Sequence, residues 1–446
     1  MIRPQWGQLL WTENRRPLDR EIFRLALPTF ATLISEPLLL LADSAIVGHL
    51  GTDQLAGLGI AANVLGVLIG LSIFLAYGTT STVARRLGAG DRSAALAGGF
   101  DGLVLAALLG VVLTVALSLA GPTVVAAYGA GPAVTAEAVT YLRIAAFGLP
   151  AVLVLLAGTG VLRGLQDTRT PLIVVIATNL ANIGLNLTLV YGLELGIAGS
   201  ALGTLIAQSG AAVVLAVVVV RRARAQSVPL DFRPAGVLSA ARSGVWLVLR
   251  TAALQAGITL TTVVAAGMSA VALASHQVVS GIWILLALAL DAIAIAGQAI
   301  IGRALGAGQA DVGRTMTRRM LGWGLVCGVI FGGLIALTRP FYVGLFSPDL
   351  GVQQLVSSVV WVVAAAAPIA GIVYVLDGVL IGAGDGRYLA LAGAIALLAY
   401  APLALLVGRQ GAGLIWLWGA YGIYMIARMT TLVLRSRTDR WIRLGV

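Results

Sequence analysis

The chain has 446 residues, of which 59% are hydrophobic and only 11% are charged, and its mean hydropathy is +0.99. Soluble domains are roughly 45–50% apolar and about 25% charged, so this composition excludes a soluble enzyme and a disordered chain and predicts a polytopic helical membrane protein. The formal net charge is +11 and the chain contains no lysine, so the Gly-Lys-Ser/Thr of a nucleotide-binding P-loop is absent.

Twelve apolar stretches of the chain are long enough to cross a bilayer, for which about 20 residues are needed. In chain order they are 22–47, 55–83, 94–120, 137–161, 170–192, 196–220, 239–265, 272–300, 314–338, 354–381, 388–408 and 412–435. The longest polar connection between them is 221–238. We therefore predict an all-α polytopic membrane protein with twelve transmembrane helices.

Arginines alternate between the two sets of predicted connections. The tails and every second connection carry most of them, whereas the opposite connections contain only His49, Arg339 and Arg409 as basic residues. Cytoplasmic loops of membrane proteins carry an excess of positive charge. This pattern predicts a multi-pass protein of the cytoplasmic membrane with both termini in the cytoplasm, and it accounts for the basic charge without a nucleic-acid partner.

The two halves of the chain are related by one constant offset, which aligns position 87 with position 305. The segments that then coincide are 87–90 with 305–308 (Leu-Gly-Ala-Gly), Pro150 with Pro368, and 164–169 with 382–387 (Gly-x-x-Asp-x-Arg). Each half has six predicted helices, an even number, so both halves enter the membrane in the same sense. Parallel repeats of this kind are typical of transporters.

The repeat divides the chain into two pseudo-symmetric six-helix bundles. We predict a cytoplasmic N-terminal tail at 1–20, an N-lobe at 21–220, a cytoplasmic linker loop at 221–238, a C-lobe at 239–435 and a cytoplasmic C-terminal tail at 436–446.

Motifs in both halves carry a family resemblance. They are Leu-Ala-Leu-Pro ending at Pro28, Glu36-Pro37, 41–51 (Leu-Ala-Asp-Ser-Ala-Ile-Val-Gly-His-Leu-Gly), 162–171 (Leu-Arg-Gly-Leu-Gln-Asp-Thr-Arg-Thr-Pro), Ser275-His276-Gln277, Asp291 to Gln298, and Leu376-Asp377-Gly378. From about residue 20 to residue 435 the chain resembles the multidrug and toxic compound extrusion (MATE) family, and within it the DNA-damage-inducible F branch. The resemblance implies a secondary antiporter, not an enzyme, that exports drugs, toxins or metabolites in exchange for H⁺ or Na⁺ by alternating access, without a cofactor.

Acidic residues at membrane depth are the first candidates for a functional site, because an Asp at a helix centre costs about 2.5–3.5 kcal/mol on insertion scales. Four such acids stand out: Glu36, Asp43, Asp291 and Asp377. Glu36 and Asp43 are two helical turns apart and share a face of the first helix. A carboxyl group removed from water favours its neutral form, so it can take up and release a proton.

The family resemblance adds roles for the first helix. It places the cation-linked aspartate of the family on Asp43 and its helix-1 proline on Pro28, which would act as a hinge. A proline inside a helix removes a backbone hydrogen bond and permits a bend. A static kink at Pro28, and a headgroup position for Asp43, are the alternatives.

Two polar stripes lie on the fifth and sixth predicted helices. They are Asn179, Asn182 and Asn186 on one helix, and Ser200, Thr204 and Gln208 on the other. Buried amides require hydrogen-bond partners, so the stripes either face Asp43 across an N-lobe cavity or join the two helices to each other. By resemblance, Asn182 and Thr204 match cavity positions of the family, whereas many relatives have Asp where this chain has Asn186.

In the C-terminal half, Asp291 and Gln298 are two turns apart on the eighth predicted helix and Asp377 lies on the tenth. They are candidates for a C-lobe cavity or cation site. Some family members bind Na⁺ with an acid at the position of Asp377, so Na⁺ is the one metal ion that the resemblance suggests. The alternatives for each acid are to pair with an arginine or to lie at the membrane interface.

The sequence thus predicts a monomeric exporter of small organic substrates in a lipid bilayer, coupled to H⁺, with Na⁺ as the alternative. A lipid-linked precursor flippase of the same superfamily and a non-transporting scaffold or receptor stay open. A flippase favours a strongly cationic cavity, whereas we place only Arg143 and Arg250, with Arg24 near an end, at membrane depth. A scaffold leaves the acids at membrane depth and the duplication unexplained.

Overall fold

The structure is a computed structural model that describes residues 16–445, with the side chain of Arg16 excepted. Twelve helices in this part of the chain are long and apolar enough to cross a membrane, which confirms the predicted fold class. They are α1 Pro17–Gly48, α2 Thr52–Gly88, α3 Arg92–Ala126, α4 Pro132–Gly164, α5 Arg169–Gly192, α6 Gly196–Arg224, α7 Pro234–Ala266, α8 Ala270–Gly306, α9 Ala310–Phe346, α10 Leu350–Gly382, α11 Gly386–Gln410 and α12 Leu414–Ser436. The predicted tails lie outside the described residues at 1–15 and at Val446.

Most helices extend several residues beyond the apolar stretches that predict them. Hydropathy marks the part that crosses lipid, whereas the helix ends where its terminal backbone groups are capped. The Asp91 carboxylate accepts a hydrogen bond from the Ala94 amide at 2.7 Å and so starts α3 before the apolar run begins. At the other end of α2, Gly90 adopts a φ of 86°, a conformation that favours glycine.

Three helices contain local irregularities. α2 is interrupted at Ile73. The 3₁₀ turn Ala146–Gly148 interrupts α4 just before Pro150, and the π-helical turn Thr188–Gly192 ends α5. Such breaks often mark functional sites in helices.

The described chain forms two compact units. One is Ala31–Gly244, and the other joins the described residues up to Phe30 with those from Val245 onward. The chain therefore changes unit inside α1 and inside α7, and not at the linker loop.

In the unit Ala31–Gly244, glycines bring α4 into close contact with α2 and α3. A Cβ added to Gly110 of α3 would lie 2.3 Å from the Pro150 Cα. A Cβ added to Gly160 of α4 would lie 2.4 Å from the Ala76 carbonyl oxygen. Small residues of this kind allow helix backbones to approach closely in membranes.

The other unit repeats these contacts at equivalent positions. A Cβ added to Gly328 of α9 would lie 2.7 Å from the Pro368 Cα, and one added to Gly378 of α10 would lie 2.1 Å from the Ala294 carbonyl oxygen. Each of these four positions is related to its counterpart in the first unit by the offset that relates the two halves of the sequence. The internal repeat seen in the sequence is thus a repeat of packing contacts.

The loops between α4 and α5 and between α10 and α11 each hold a buried or half-buried aspartate that is paired with arginine. Asp167 accepts a hydrogen bond from Arg222 at 2.5 Å, and Asp385 accepts one from Arg435 at 2.7 Å. Burial alone would raise the pKa of Asp167, but hydrogen bonds from Thr170 and Arg222 outweigh it and lower the pKa below its usual value. The aspartates of the two Gly-x-x-Asp-x-Arg segments are thus paired with arginines from the last turns of α6 and α12.

Candidate functional site

Asp43 lies near the end of α1 and is buried, with 4% of its surface exposed. The Nδ2 of Asn186, from α5, donates a hydrogen bond to Asp43 Oδ1 at 2.7 Å and a weaker one to Asn182 Oδ1 at 3.1 Å. Both asparagines are fully buried. Asn186, on the amide stripe of α5, therefore contacts Asp43 directly.

The network continues into α6 and α4. Asn182 Nδ2 donates to Thr204 Oγ1 at 2.9 Å, and the Thr204 side chain lies close enough to the Tyr141 hydroxyl to interact with it. A chain of polar groups thus runs from Asp43 to the buried Tyr141 within an otherwise apolar core. Sequence reasoning missed Tyr141, although a tyrosine inside an apolar helix signals a hydroxyl that needs a partner.

Gly203 of α6 fits the network closely. A Cβ added at this position would lie 2.0 Å from Asn186 Oδ1 and 3.2 Å from the Asn186 backbone nitrogen. Only glycine leaves room for the Asn186 side chain in this position. The α5–α6 contact and the hydrogen bond to Asp43 therefore depend on the same small residue.

The remaining predicted polar residues of this unit lie around the network rather than in it. Asn179 Nδ2 donates to the Ser35 carbonyl of α1 at 2.9 Å, one α5 turn from Asn182. Ser200 is fully buried, and its hydroxyl has no partner within the described residues. Gln208 lies beside Gly148, where an added Cβ would be 3.7 Å from its Oε1.

Glu36 and Pro28 lie earlier on α1. Glu36 is exposed, although it shares a helix face with the buried Asp43, so the structure gives the two acids different environments. Pro28 is half-buried in a helix that continues without interruption through it. It lies two residues before Phe30, where the chain changes unit.

Asp377 of α10 is buried between two arginines. Its Oδ2 accepts a hydrogen bond from Arg250 of α7 at 2.7 Å and another from Arg428 of α12. All three side chains are at most 6% exposed. Two guanidinium groups at one carboxylate oppose a sodium ion at Asp377, and they match the alternative role of arginine pairing.

Arg428 corrects the sequence assignment of arginines within the helices, which omits it. It lies eight residues before the end of α12 and is 5% exposed, so its side chain is buried inside the protein. Its position seven residues before Arg435, the first arginine of the basic C-terminal end, obscures it in the sequence.

The other two predicted residues of the C-terminal half differ from each other. Asp291 of α8 is half-buried and interacts electrostatically with Tyr374, which lies one turn before Asp377. Gln298 is 1% exposed, and its Oε1 has no hydrogen-bond partner within the described residues. The structure therefore brings Asp291 toward Asp377, whereas Gln298 forms no hydrogen bond to either acid.

Known proteins resemble this chain in both of its halves. The MatE family model matches residues 28–188 and 248–406, the corresponding parts of the two halves. The chain belongs to the MatE family. Its similarity to "Protein DETOXIFICATION 44, chloroplastic" from Arabidopsis thaliana is 31% identity over 95% of this chain and 84% of the relative. "DNA damage-inducible protein F" from Escherichia coli is 30% identical over 90% of this chain and 88% of the relative. The resemblance drawn from the motifs is confirmed.

Solved structures of MatE-type transporters share the fold. A Vibrio cholerae MATE transporter superposes with a TM-score of 0.88 over 97% of this chain and all of that chain, at 20% sequence identity. A transporter from Pyrococcus furiosus gives a TM-score of 0.84 over 98% of both chains, at 21% identity. The fold is thus shared with these transporters, and the family match makes the chain a multi-pass membrane protein of an efflux transporter family.

Proposed function

We propose that this MatE protein is a proton-coupled exporter of small organic compounds in the cytoplasmic membrane, with both termini in the cytoplasm and with Asp43 as the proton-binding group. The buried hydrogen bond between Asp43 and Asn186 carries this proposal. It joins an ionisable group to a neutral amide at membrane depth, without an ion pair to Asp43 in the described residues.

The environment of Asp43 suits reversible protonation. A buried carboxylate without a cationic partner is costly in its charged form, so a proton from water offsets part of that cost. Within the described residues, Asp43 Oδ2 accepts no hydrogen bond and is available to bind the proton. Asp377, by contrast, is held in its charged form by Arg250 and Arg428.

Protonation of Asp43 changes the contact between α1 and α5. A hydrogen bond to a carboxylate is about twice as strong as one to a neutral acceptor, so a neutral Asp43 holds Asn186 less firmly. Asn186 lies two residues before the π-helical turn at the end of α5. Release of the Asn186 side chain would change its hydrogen bond to Asn182 and, through Asn182, the bond to Thr204 of α6. This rearrangement would favour the other state of an alternating-access cycle.

The proton-motive force supplies the free energy for export. Each charge moved inward contributes about 2.3 kcal/mol per 100 mV of membrane potential. Proton uptake from outside would release the substrate outward, and proton release to the cytoplasm would reset the cycle. Pro28 is the proposed bending point of α1, because its ring removes one backbone hydrogen bond close to the position where the chain changes unit.

Reconstitution in liposomes tests this proposal, with pH and Na⁺ gradients imposed separately and a panel of cationic and anionic dyes as substrates. We expect a pH gradient alone to drive export. Asp43→Asn keeps the size of the side chain and one acceptor oxygen for Asn186 but cannot bind a proton, so gradient-driven export should fall by about a hundredfold or more while the protein stays folded.

Asp53→Asn is the matched control, because it makes the same chemical change at an exposed aspartate in the first turn of α2. This variant should export at the wild-type rate. Wild-type export by Asp43→Asn would contradict the role of Asp43. Export that responds to a Na⁺ gradient but not to a pH gradient would contradict proton coupling, and a protein that moves no substrate would favour a scaffold.

A further inference from the structure

The second unit contains a buried carboxylate-binding arrangement that proton coupling at Asp43 does not use. Arg250 and Arg428 both donate to one oxygen of Asp377, Oδ2. The other oxygen, Oδ1, is buried and has no hydrogen-bond partner within the described residues. A guanidinium and a carboxylate pair best through two parallel hydrogen bonds, which use both oxygens. Asp377 therefore pairs with both arginines through only one of its two carboxylate oxygens.

A row of buried aromatic side chains continues from Arg428 along α12. Arg428, Tyr424, Tyr421 and Trp418 are spaced by four, three and three residues, so they share one face of the helix. Adjacent rings of this row have centroids 5.4 Å apart. Tyr400 of α11 and Trp283 of α8 add rings at 5.6 Å from Tyr424 and 5.5 Å from Tyr421. We call these five rings and Arg428 the aromatic row.

The aromatic row contains hydrogen-bond donors that are not used. The Tyr424 hydroxyl and the Trp418 indole nitrogen are buried and have no partner within the described residues, and their side chains are 1% and 2% exposed. Buried donors of this type normally have a partner, because an unsatisfied one costs about 1–3 kcal/mol. Tyr424 lies one turn from Arg428 and interacts electrostatically with both arginines, so an unused hydroxyl donor lies beside the two guanidinium groups and suits a ligand with both charged and polar groups.

We infer that Arg250, Arg428 and the aromatic row form a binding subsite for an aromatic organic carboxylate, and that Asp377 occupies the carboxylate position when no ligand is bound. This inference rests on the proposed export function and names its substrate class. The ligand carboxylate would take the place of Asp377 on the two guanidinium groups, and its ring would lie against Tyr424 and Tyr421. Aromatic rings favour offset-stacked or edge-to-face contacts with other rings.

The exchange keeps both arginines paired with a negatively charged group. One carboxylate replaces another, so neither guanidinium is left without an anion, and water in the open state of the transporter would solvate Asp377. Asp291 of α8, which interacts with Tyr374, is the other acid of this region and stays in place. A cationic ligand would have to bind beside two arginines, so the subsite selects against it.

Binding to the purified full-length protein in detergent tests this inference without a transport assay. Benzoate is the probe, tryptophan fluorescence and the thermal unfolding midpoint are the readouts, and sodium chloride at equal ionic strength is the salt control. We expect saturable binding of benzoate, at least about fivefold weaker binding of cyclohexanecarboxylate, which lacks the aromatic face, and no binding of benzylammonium. Arg428→Gln should weaken benzoate binding by about tenfold or more.

Asp377→Ala distinguishes a ligand site from a structural ion pair. Removal of the internal carboxylate should lower the unfolding midpoint, strengthen benzoate binding by about tenfold, and make the variant more strongly stabilised by benzoate than the wild type. Asp385→Ala is the matched control, because Asp385 is 1% exposed and also lies between two arginines, Arg435 and Arg443, but outside the helices. This control should show no gain in benzoate affinity.

Three outcomes would overturn the inference: no saturable benzoate binding to the wild type, unchanged binding by Arg428→Gln, or an equal gain in affinity for Asp377→Ala and Asp385→Ala. If Arg428→Gln does not fold, Tyr424→Leu removes a ring without changing charge and should weaken benzoate more than cyclohexanecarboxylate. Asp53→Asn, at an exposed position of α2, should bind benzoate like the wild type. Binding is measured without a proton gradient, so a failure of proton coupling in liposomes and a failure of this subsite give different results.

Discussion

At the scale of single residues, the two buried acids Asp43 and Asp377 show how partners decide the chemistry of one side chain. Both lie in apolar helices and are at most 4% exposed. Asp43 has a neutral amide as its partner, whereas Asp377 has two guanidinium groups. A neutral partner leaves the carboxyl free to bind a proton, and cationic partners keep it charged. The proposed coupling group and the proposed anion subsite follow from this difference.

Gly203 provides a residue-scale test of the Asp43 network. In Gly203→Ala the added methyl group meets Asn186 Oδ1 and displaces the side chain that donates to Asp43. We expect proton-driven export in liposomes to fall by about tenfold or more, because one charge-assisted hydrogen bond is worth roughly 1.5–3 kcal/mol. Asp43 itself is unchanged in this variant.

Gly210→Ala is the control for this prediction. Gly210 lies on the same helix, α6, and a Cβ added there has no neighbour within 4 Å. Its export rate should match the wild type. Equal rates for the two variants would show that transport does not require Asn186 in its observed position.

At the scale of helices, glycines determine which pairs approach most closely. Gly324, Gly328 and Gly332 recur every four residues along α9, and an added Cβ at each would lie 2.5–2.7 Å from a backbone oxygen of α10. Backbone atoms cannot move aside as a side chain can, so the contact excludes larger residues. In the first unit, Gly110 makes the equivalent contact with Pro150.

Gly328→Ala tests the importance of this contact. The new methyl group would meet the Ala367 carbonyl oxygen at 2.5 Å, so α9 and α10 must separate. We expect a loss of about 1–3 kcal/mol in the free energy of unfolding, measured by equilibrium unfolding in mixed micelles. Gly333→Ala, on the same helix with no neighbour within 4 Å, should be neutral or stabilise by up to about 1 kcal/mol. A similar loss in both variants would assign the effect to α9 alone.

At the scale of the whole molecule, each half of the chain begins in the unit formed mainly by the other half. The first residues of α1 belong to the unit of α9, where the Asp19 carboxylate accepts two hydrogen bonds from Arg319 at 2.6 and 2.5 Å. Arg233, just before α7, belongs to the unit of α3 and donates to Asp101 at 3.2 and 2.7 Å. Asp101 and Arg319 coincide under the offset between the two halves, whereas Asp19 and Arg233 differ from it by four positions. The two bidentate pairs therefore lie at related places in the repeat, with reversed charge.

A double-mutant cycle on Asp101→Asn and Arg233→Gln measures one of these pairs. The Asp101 side chain is 7% exposed, so we expect a coupling of about 1–2 kcal/mol in the free energy of unfolding, above the value of a typical surface pair. The same cycle on the exposed pair Asp311 and Arg314 should give no measurable coupling. Additive effects at Asp101 and Arg233 would mean that the pair does not hold the start of α7.

The sequence by itself determined the number of helices, the internal repeat, the family and the acids worth considering, because hydropathy, spacing and motifs are local properties of the chain. It also placed Asn182, Asn186 and Thr204 on stripes, since helical periodicity fixes which side chains share a face. Only the tertiary structure decided that Asn186 contacts Asp43 from 143 residues away and that Arg250 contacts Asp377 from 127 residues away. The charge of a buried acid depends on such distant partners, because removal from water makes the nearest donor the main source of stabilisation.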